Sequence, residues 1–282
     1  MAGLYGLADR DDCAWPNVAA HWMSGVGLNR MITEVRRGGG PPIVFVHGLI
    51  GHLRLCAEAA ISYGRDTCAP DLLGYGALAD VADAEISLAA QANKLQSCIR
   101  DAYGNTAVDI VGHSVGGVIS MLLAYQDPSM VRRVVSVEGN FTLKDAFWSA
   151  SLGRMSAAEA AAVLAGLAAE PAAWLERSGV QPSAENLAIA KEWLGFQPAT
   201  TLRAMGRSIT DVTGDPNYLE IVRKVFASHH VCLLAGERSR AEWDVPTWAS
   251  LEAAAQATLP GTGHMLMLEQ PERFMRALFD ML

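Results

Sequence analysis

The sequence predicts an α/β fold in which short buried strands alternate with helices and a long helical insertion interrupts the pattern. Residues 43–46 and 131–137 are short apolar or β-branched runs, typical of parallel strands buried on both faces. Residues 141–228 instead read as successive helices and break the alternation. We therefore expect a core domain formed by residues 1–140 and 229–282, with residues 141–228 as a helical cap.

Composition supports a globular protein and argues against several functional classes. The 282 residues are 51% hydrophobic and 18% charged, which is enough apolar material for a large core. The net charge of −8 provides no basic field for nucleic acid. No apolar run approaches the roughly 18 to 20 residues that span a bilayer, and the first residues lack the parts of a signal peptide. We expect a cytoplasmic protein that is a monomer or homodimer.

Five scattered cysteines give no Cys-x-x-Cys spacing, so we expect buried thiols and neither a metal nor a cofactor. An N-terminal arm is expected to carry Trp15, Pro16, Trp22 and Met23, and residues 31–35 are expected to form an early strand. Further helices are predicted over residues 53–63, 87–103, 185–194 and 246–256, and others are predicted to begin at residues 157 and 216. The start at residue 157 is indicated by a capping box formed by Ser156 and Glu159. Further short strands are predicted over residues 66–70, 231–234 and 257–259.

Gly112-His113-Ser114-Val115-Gly116 follows the apolar run of residues 108–111 and precedes a helical pattern over residues 117–126. This context of strand, sharp turn and helix is that of a nucleophile elbow, in which flanking glycines allow two backbones to approach closely. Ser114 is therefore the candidate nucleophile.

Two more motifs occur in the order that the same chemistry requires. His47-Gly48-Leu49 follows the first predicted strand, and Gly261-Thr262-Gly263-His264 follows the last. His264 is the histidine of the chain that lies on a glycine loop after that last strand, so it is the candidate base for the serine. The motifs together span most of the sequence.

With these motifs, the sequence resembles the α/β-hydrolase superfamily from about residue 30 to the C-terminus. The resemblance implies a mostly parallel central sheet with helices on both faces. It also implies that the backbone amides of Leu49 and Val115 form an oxyanion hole. His47 would brace its turn, and the His113 side chain would point away from the substrate. His52 is expected to be a solvated loop histidine.

The third member of the triad is a carboxylate, and its position departs from the majority pattern of the family. Most members place an aspartate after the strand that follows the cap, where this chain has Ser239. Glu138, at the end of an earlier strand, resembles the acid of one branch of haloalkane dehalogenases and of zearalenone-type lactonases. We rank Glu138 ahead of Glu237, with Asp244 third; Glu237 has the alternative of pairing with Arg238 or Arg240 at the surface.

The resemblance implies a capped serine hydrolase that acts on a small apolar carboxylic ester or lactone through an acyl-enzyme. Phe141 and Trp148, close after Glu138, are the candidate walls of the substrate pocket. The same triad could serve a C–C bond hydrolase, an amidase or an acyltransferase, because one fold hosts many reactions. A small-molecule receptor of hydrolase fold is the alternative that is not an enzyme.

Overall fold

The computed structural model describes residues 40–282, and the predicted N-terminal arm and early strand lie outside this range. Six strands form one sheet in the order β2-β1-β3-β4-β5-β6, and every neighbouring pair in it is parallel. The strands are β1 (Ile43–Val46), β2 (Thr67–Cys68), β3 (Val108–His113), β4 (Val131–Val137), β5 (His230–Gly236) and β6 (Ala255–Leu259). The predicted α/β class with a mostly parallel sheet is confirmed.

Twelve α-helices occur in the same part of the chain, together with two short 3-10 helices at Gly76–Leu78 and Asp83–Glu85. They are α1 (Arg54–Ile61), α2 (Leu88–Tyr103), α3 (Val115–Gln126), α4 (Phe147–Arg154), α5 (Ala157–Ala169), α6 (Pro171–Arg177), α7 (Ala184–Leu194), α8 (Ala199–Gly214), α9 (Pro216–Ser228), α10 (Thr247–Glu252), α11 (Leu266–Glu269) and α12 (Pro271–Met281).

Helices cover both faces of the sheet, which explains why its central strands are apolar throughout. Every residue of β1 and β3 is buried. On one face α3 packs against β1, β3 and β4 and contacts α2 and α9, while α12 contacts β6 and α1. Because parallel strands end at one edge, Ser114 after β3, Glu138 after β4 and the loop after β6 emerge together.

The insertion between β4 and β5 consists of helices α4 to α9. Helix α8 contacts α2, α4 and α5, and its buried residues Leu202, Met205 and Ile209 belong to the main hydrophobic core. The capping box at Ser156 and Glu159 is present at the start of α5, as predicted. No single helix within residues 40–282 is long and apolar enough to cross a membrane; α5 and α6 reach that length only as a pair bent by 95°.

The predicted helix over residues 246–256 is wrong at its C-terminal end. Helix α10 stops at Glu252, and Ala255 and Gln256 already pair with Cys232 and Leu233 of β5. The alanine-rich stretch has helical propensity, but the exposed edge of β5 offers backbone partners to it. Tertiary hydrogen bonding therefore overrides the local preference here.

Candidate active site

Ser114 occupies a strained turn between β3 and α3. Its backbone has φ of 53° and ψ of −124°, in the region that non-glycine residues rarely adopt. The turn is closely packed: a Cβ on Gly116 would lie 2.2 Å from the Val46 carbonyl oxygen, and one on Gly112 would lie 2.5 Å from the Gly116 oxygen. The glycines of the motif are therefore required by contact, and the partly exposed serine is held at the end of the strand.

His264 and Glu138 form a hydrogen-bonded pair beside this turn. The His264 Nδ1 atom lies 2.7 Å from Glu138 Oε2. The histidine side chain is 45% exposed, whereas that of Glu138 is 3% exposed. A buried carboxylate on Nδ1 fixes the ring tautomer and leaves Nε2 as the nitrogen that can accept a proton.

The carboxylate of Glu138 is satisfied on both oxygens. Its Oε1 atom accepts hydrogen bonds from the Ser239 hydroxyl at 2.5 Å and the Gly236 amide at 2.7 Å. Burial raises the pKa of Glu138, but the hydrogen bonds from His264, Ser239 and Gly236 outweigh it, so the pKa lies below its ordinary value. Glu138 is therefore ionised near neutral pH.

The other two carboxylates considered for the triad have different partners. Glu237 accepts a hydrogen bond from the Gly261 amide at 2.9 Å, and Asp244 accepts one from the Thr142 hydroxyl at 2.7 Å. The alternative pairing of Glu237 with Arg238 is not observed. The Arg238 guanidinium instead donates to Glu269 at 2.6 Å. Glu237 thus supports the loop before His264 through the backbone.

Leu49 and Val115 both follow residues at the serine turn: a Cβ on Gly48 would lie 3.1 Å from the Ser114 Cβ, and Val115 follows Ser114 directly. Both residues are buried. Neither amide donates a hydrogen bond to another residue in the part of the chain that the structure describes. Val115 is the first residue of α3, where helix geometry leaves the amide without an internal acceptor. Two amides with unused donor capacity can stabilise a negatively charged oxygen.

His113 contacts His264, an interaction that the sequence did not suggest. Its Nε2 atom lies 3.0 Å from the His264 carbonyl oxygen, and the two ring centroids are 4.6 Å apart. Because a carbonyl only accepts, Nε2 carries the proton. Burial lowers the pKa of His113 to about 3, so the ring is neutral and supports the backbone of His264. The prediction that it points away from substrate remains a prediction.

Two further histidines, His47 and His52, and the two predicted pocket residues differ in their burial. His47 is buried and its Nδ1 lies 2.9 Å from the Gly48 oxygen, within its own turn. His52 is buried, not solvated as expected, with Nε2 2.8 Å from Glu192. Phe141 is buried against Trp243 and Phe226, whereas Trp148 on α4 is 38% exposed.

A groove of about 600 Å³ lies between residues 79–83 and 195–200, and Ser114, Glu138 and His264 are not among the residues that line it. Within residues 40–282, no group of three or more His, Cys, Asp or Glu side chains is arranged to hold a metal ion.

Known proteins are similar to this chain in sequence. Residues 43–277 match the sequence profile of the alpha/beta hydrolase family. An uncharacterized protein of Mycobacterium tuberculosis is 36% identical over 110 residues, which are 38% of this chain and 32% of that protein. The sn-1-specific diacylglycerol lipase of Mus musculus is 36% identical over 102 residues, 35% of this chain and 32% of the lipase. The matched segments thus span about a third of the length of these relatives.

A solved carboxylesterase structure from Nitrososphaera gargenis is similar in fold. Its TM-score is 0.66, with 86% of this chain and 89% of that chain covered at 16% identity. At this identity the likeness concerns the fold alone.

Proposed function

Because the chain belongs to the alpha/beta hydrolase family, we propose that it is a serine hydrolase that cleaves a small apolar carboxylic ester or lactone. The observation that carries the proposal is the 2.7 Å contact between His264 Nδ1 and the buried Glu138 carboxylate, beside the strained turn of Ser114. A serine needs a nearby base to become nucleophilic, and the base needs a carboxylate to hold its tautomer.

In the proposed mechanism, His264 Nε2 accepts the hydroxyl proton of Ser114 while the serine oxygen attacks the carbonyl carbon. The Leu49 and Val115 amides donate to the oxygen that becomes negative. Glu138 stabilises the imidazolium of His264, which then gives the proton to the departing alcohol. Water, deprotonated by His264, attacks the acyl-enzyme and releases the carboxylic acid. For a lactone, the alcohol and acid remain parts of one product.

The helical cap of residues 141–228 is the proposed cover of this site, and Trp148 is the proposed wall whose surface is accessible. Phe141, which is buried and packs against Trp243, is the second proposed wall. The choice of ester bonds is supported by two similar proteins, a diacylglycerol lipase and a carboxylesterase. Carboxylic esters, including lactones, are therefore the proposed substrate class for this chain.

The test is covalent labelling followed by turnover. A fluorophosphonate should label Ser114, and a panel of p-nitrophenyl esters and simple lactones should be hydrolysed. Ser114→Ala should abolish labelling and lower kcat by about 10³-fold or more, as expected when a catalytic triad loses its nucleophile. Ser129→Ala, an exposed serine beyond α3, is the control and should behave like the original protein. Labelling without turnover would favour the receptor, and activity in Ser114→Ala would contradict the mechanism.

A further inference from the structure

The loop of residues 47–53, between β1 and α1, is held in place by side chains. Among residues 48–53, the Gly51 amide donates to Oε1 of Gln197 at 3.0 Å, and no other amide there donates to a described residue. The loop is therefore not fixed by a turn or ladder of its own. Its conformation, and with it the direction of the Leu49 amide, depends on groups from other elements.

Tyr75 supplies one of these groups. Its side chain is fully buried, and its hydroxyl donates to the Leu49 carbonyl oxygen at 3.0 Å. The ring also packs edge-on against His47, with centroids 4.5 Å apart. The carbonyl and amide of Leu49 belong to peptide planes that meet at its Cα atom, so fixing one plane limits the orientation of the other.

Gln197, between α7 and α8 of the insertion, supplies the second group. Its Nε2 donates to the Trp193 carbonyl at 3.0 Å, which directs Oε1 toward Gly51. Trp193 covers the same position, since a Cβ on Gly51 would lie 2.4 Å from its indole ring. Gly51 has φ of +80°, a conformation that suits glycine. The insertion thus contacts Gly51 at two of its atoms, and Glu192 of α7 also contacts His52 of the same loop.

We propose that Tyr75 and Gln197 are positioning residues that orient the Leu49 amide toward the developing oxyanion, so that the helical insertion completes the oxyanion hole. The proposal rests on the proposed hydrolase function. Neither side chain is assigned a contact with substrate. Their loss should weaken binding of the transition state more than binding of the ester, because the oxyanion forms only during reaction.

The first test is Tyr75→Phe, which removes one oxygen atom and keeps the ring. We expect kcat for a p-nitrophenyl ester to fall at least about tenfold with KM within about twofold, by analogy with the loss of oxyanion-hole donors. Tyr218→Phe is the matched control, since the Tyr218 hydroxyl is also buried and donates to a backbone carbonyl, that of Asn140, at 3.0 Å. It should destabilise the protein similarly and keep kcat within about twofold.

The second test uses Gln197→Met and an aryl trifluoromethyl ketone. Ser114 adds to the ketone carbon, its proton passes to His264, and the carbonyl oxygen becomes the oxyanion. The inhibition constant should rise at least about tenfold in Tyr75→Phe and Gln197→Met, both checked for folding by circular dichroism. Variants that match the original protein, or a higher KM at unchanged kcat, would overturn the positioning role. If Ser114 of the original protein reacts with neither ketone nor ester, the proposed function fails and this proposal with it.

Discussion

Ser114 and Glu138 are the two non-glycine residues within 40–282 that have positive φ, at 53° and 46°. A residue with a Cβ that is held in such a sparsely populated conformation costs on the order of 1 to 3 kcal/mol. Both residues end neighbouring strands, β3 and β4, at the same edge of the sheet. The strain therefore coincides with the two side chains that the proposed mechanism uses as nucleophile and acid, which is where strain is commonly found.

The assignment of the acid predicts different outcomes for two glutamates. Glu138→Gln keeps the volume but removes the charge that stabilises the imidazolium, and its amide can force the wrong tautomer on His264. We expect kcat/KM for an ester to fall at least about 100-fold. Glu237→Gln retains an oxygen that can accept from the Gly261 amide. It should lower kcat/KM by less than about fivefold.

Both variants should be measured on one ester in one buffer, with folding checked by circular dichroism. A strongly impaired Glu237→Gln beside an active Glu138→Gln would reverse the ranking and remove Glu138 from the mechanism. Asp244→Asn tests the third candidate, and because Asp244 binds Thr142 and Lys144 we expect a near-normal rate.

Candidate site residues can be predicted from the sequence where the residues next to them in the chain form a recognisable motif. Ser114 and His264 lie in glycine motifs, so they could be named from the sequence. The hydrogen bond from Ser239 to Glu138 joins residues 101 positions apart, and that from His113 to the His264 carbonyl joins residues 151 apart. No local pattern encodes such contacts. They depend on how β3, β4, β5 and β6 align in the sheet.

At the scale of elements, the elbow depends on close contact between α3 and β1. A methyl group on Gly116 would lie 2.2 Å from the Val46 carbonyl, a backbone atom that cannot rotate away. Gly116→Ala should therefore lower the free energy of unfolding by about 2 kcal/mol or more and reduce esterase activity with it. Urea unfolding and ester hydrolysis are the measurements.

Gly166→Ala provides the matched control. Gly166 lies within helix α5, and an added Cβ there meets no atom within 4 Å. Because glycine is a poor helix former, this change should stabilise the protein by about 0.5 to 1 kcal/mol. Equal effects of the two substitutions would contradict the contact argument.

Element prediction succeeded where local signals and tertiary structure agree. Strand β4 and the capping box of α5 were predicted, since β-branched residues and a Ser-x-x-Glu pattern favour what the fold requires. Residues 253–256 illustrate the opposite case, because their helical composition competes with the free edge of β5. The sequence does not show which strand edge is available.

For the whole molecule, two buried neutral histidines under the site affect the stability of the fold at acid pH. Burial lowers the pKa of His47 to about 4 and that of His113 to about 3, from an ordinary value of 6.5. Between these values the unfolded chain binds protons that the folded protein excludes. These two histidines therefore lower stability as the pH falls below 6.5, whereas Asp145, whose pKa burial raises to about 6, acts in the opposite direction.

We expect each of these histidines to contribute a loss of roughly 2 kcal/mol between pH 6.5 and 4.5. The free energy of unfolding, measured in urea at several pH values in this window, should fall in the original protein, because two histidines act against the one carboxyl of Asp145. His47→Gln and His113→Gln should each be less stable at pH 7 and have a shallower pH dependence, because one proton-binding difference is removed.

His230→Gln, which changes an exposed histidine, is the control and should keep the original slope. Glu138 does not produce this pH dependence. Because its pKa is lowered in the folded protein, it is ionised above pH 4.5 in both the folded and the unfolded chain, and its contribution to stability is constant there. Unchanged slopes in both buried-site variants would show that these rings are protonated in the folded protein, and would contradict the neutral state assigned to His113 beside His264.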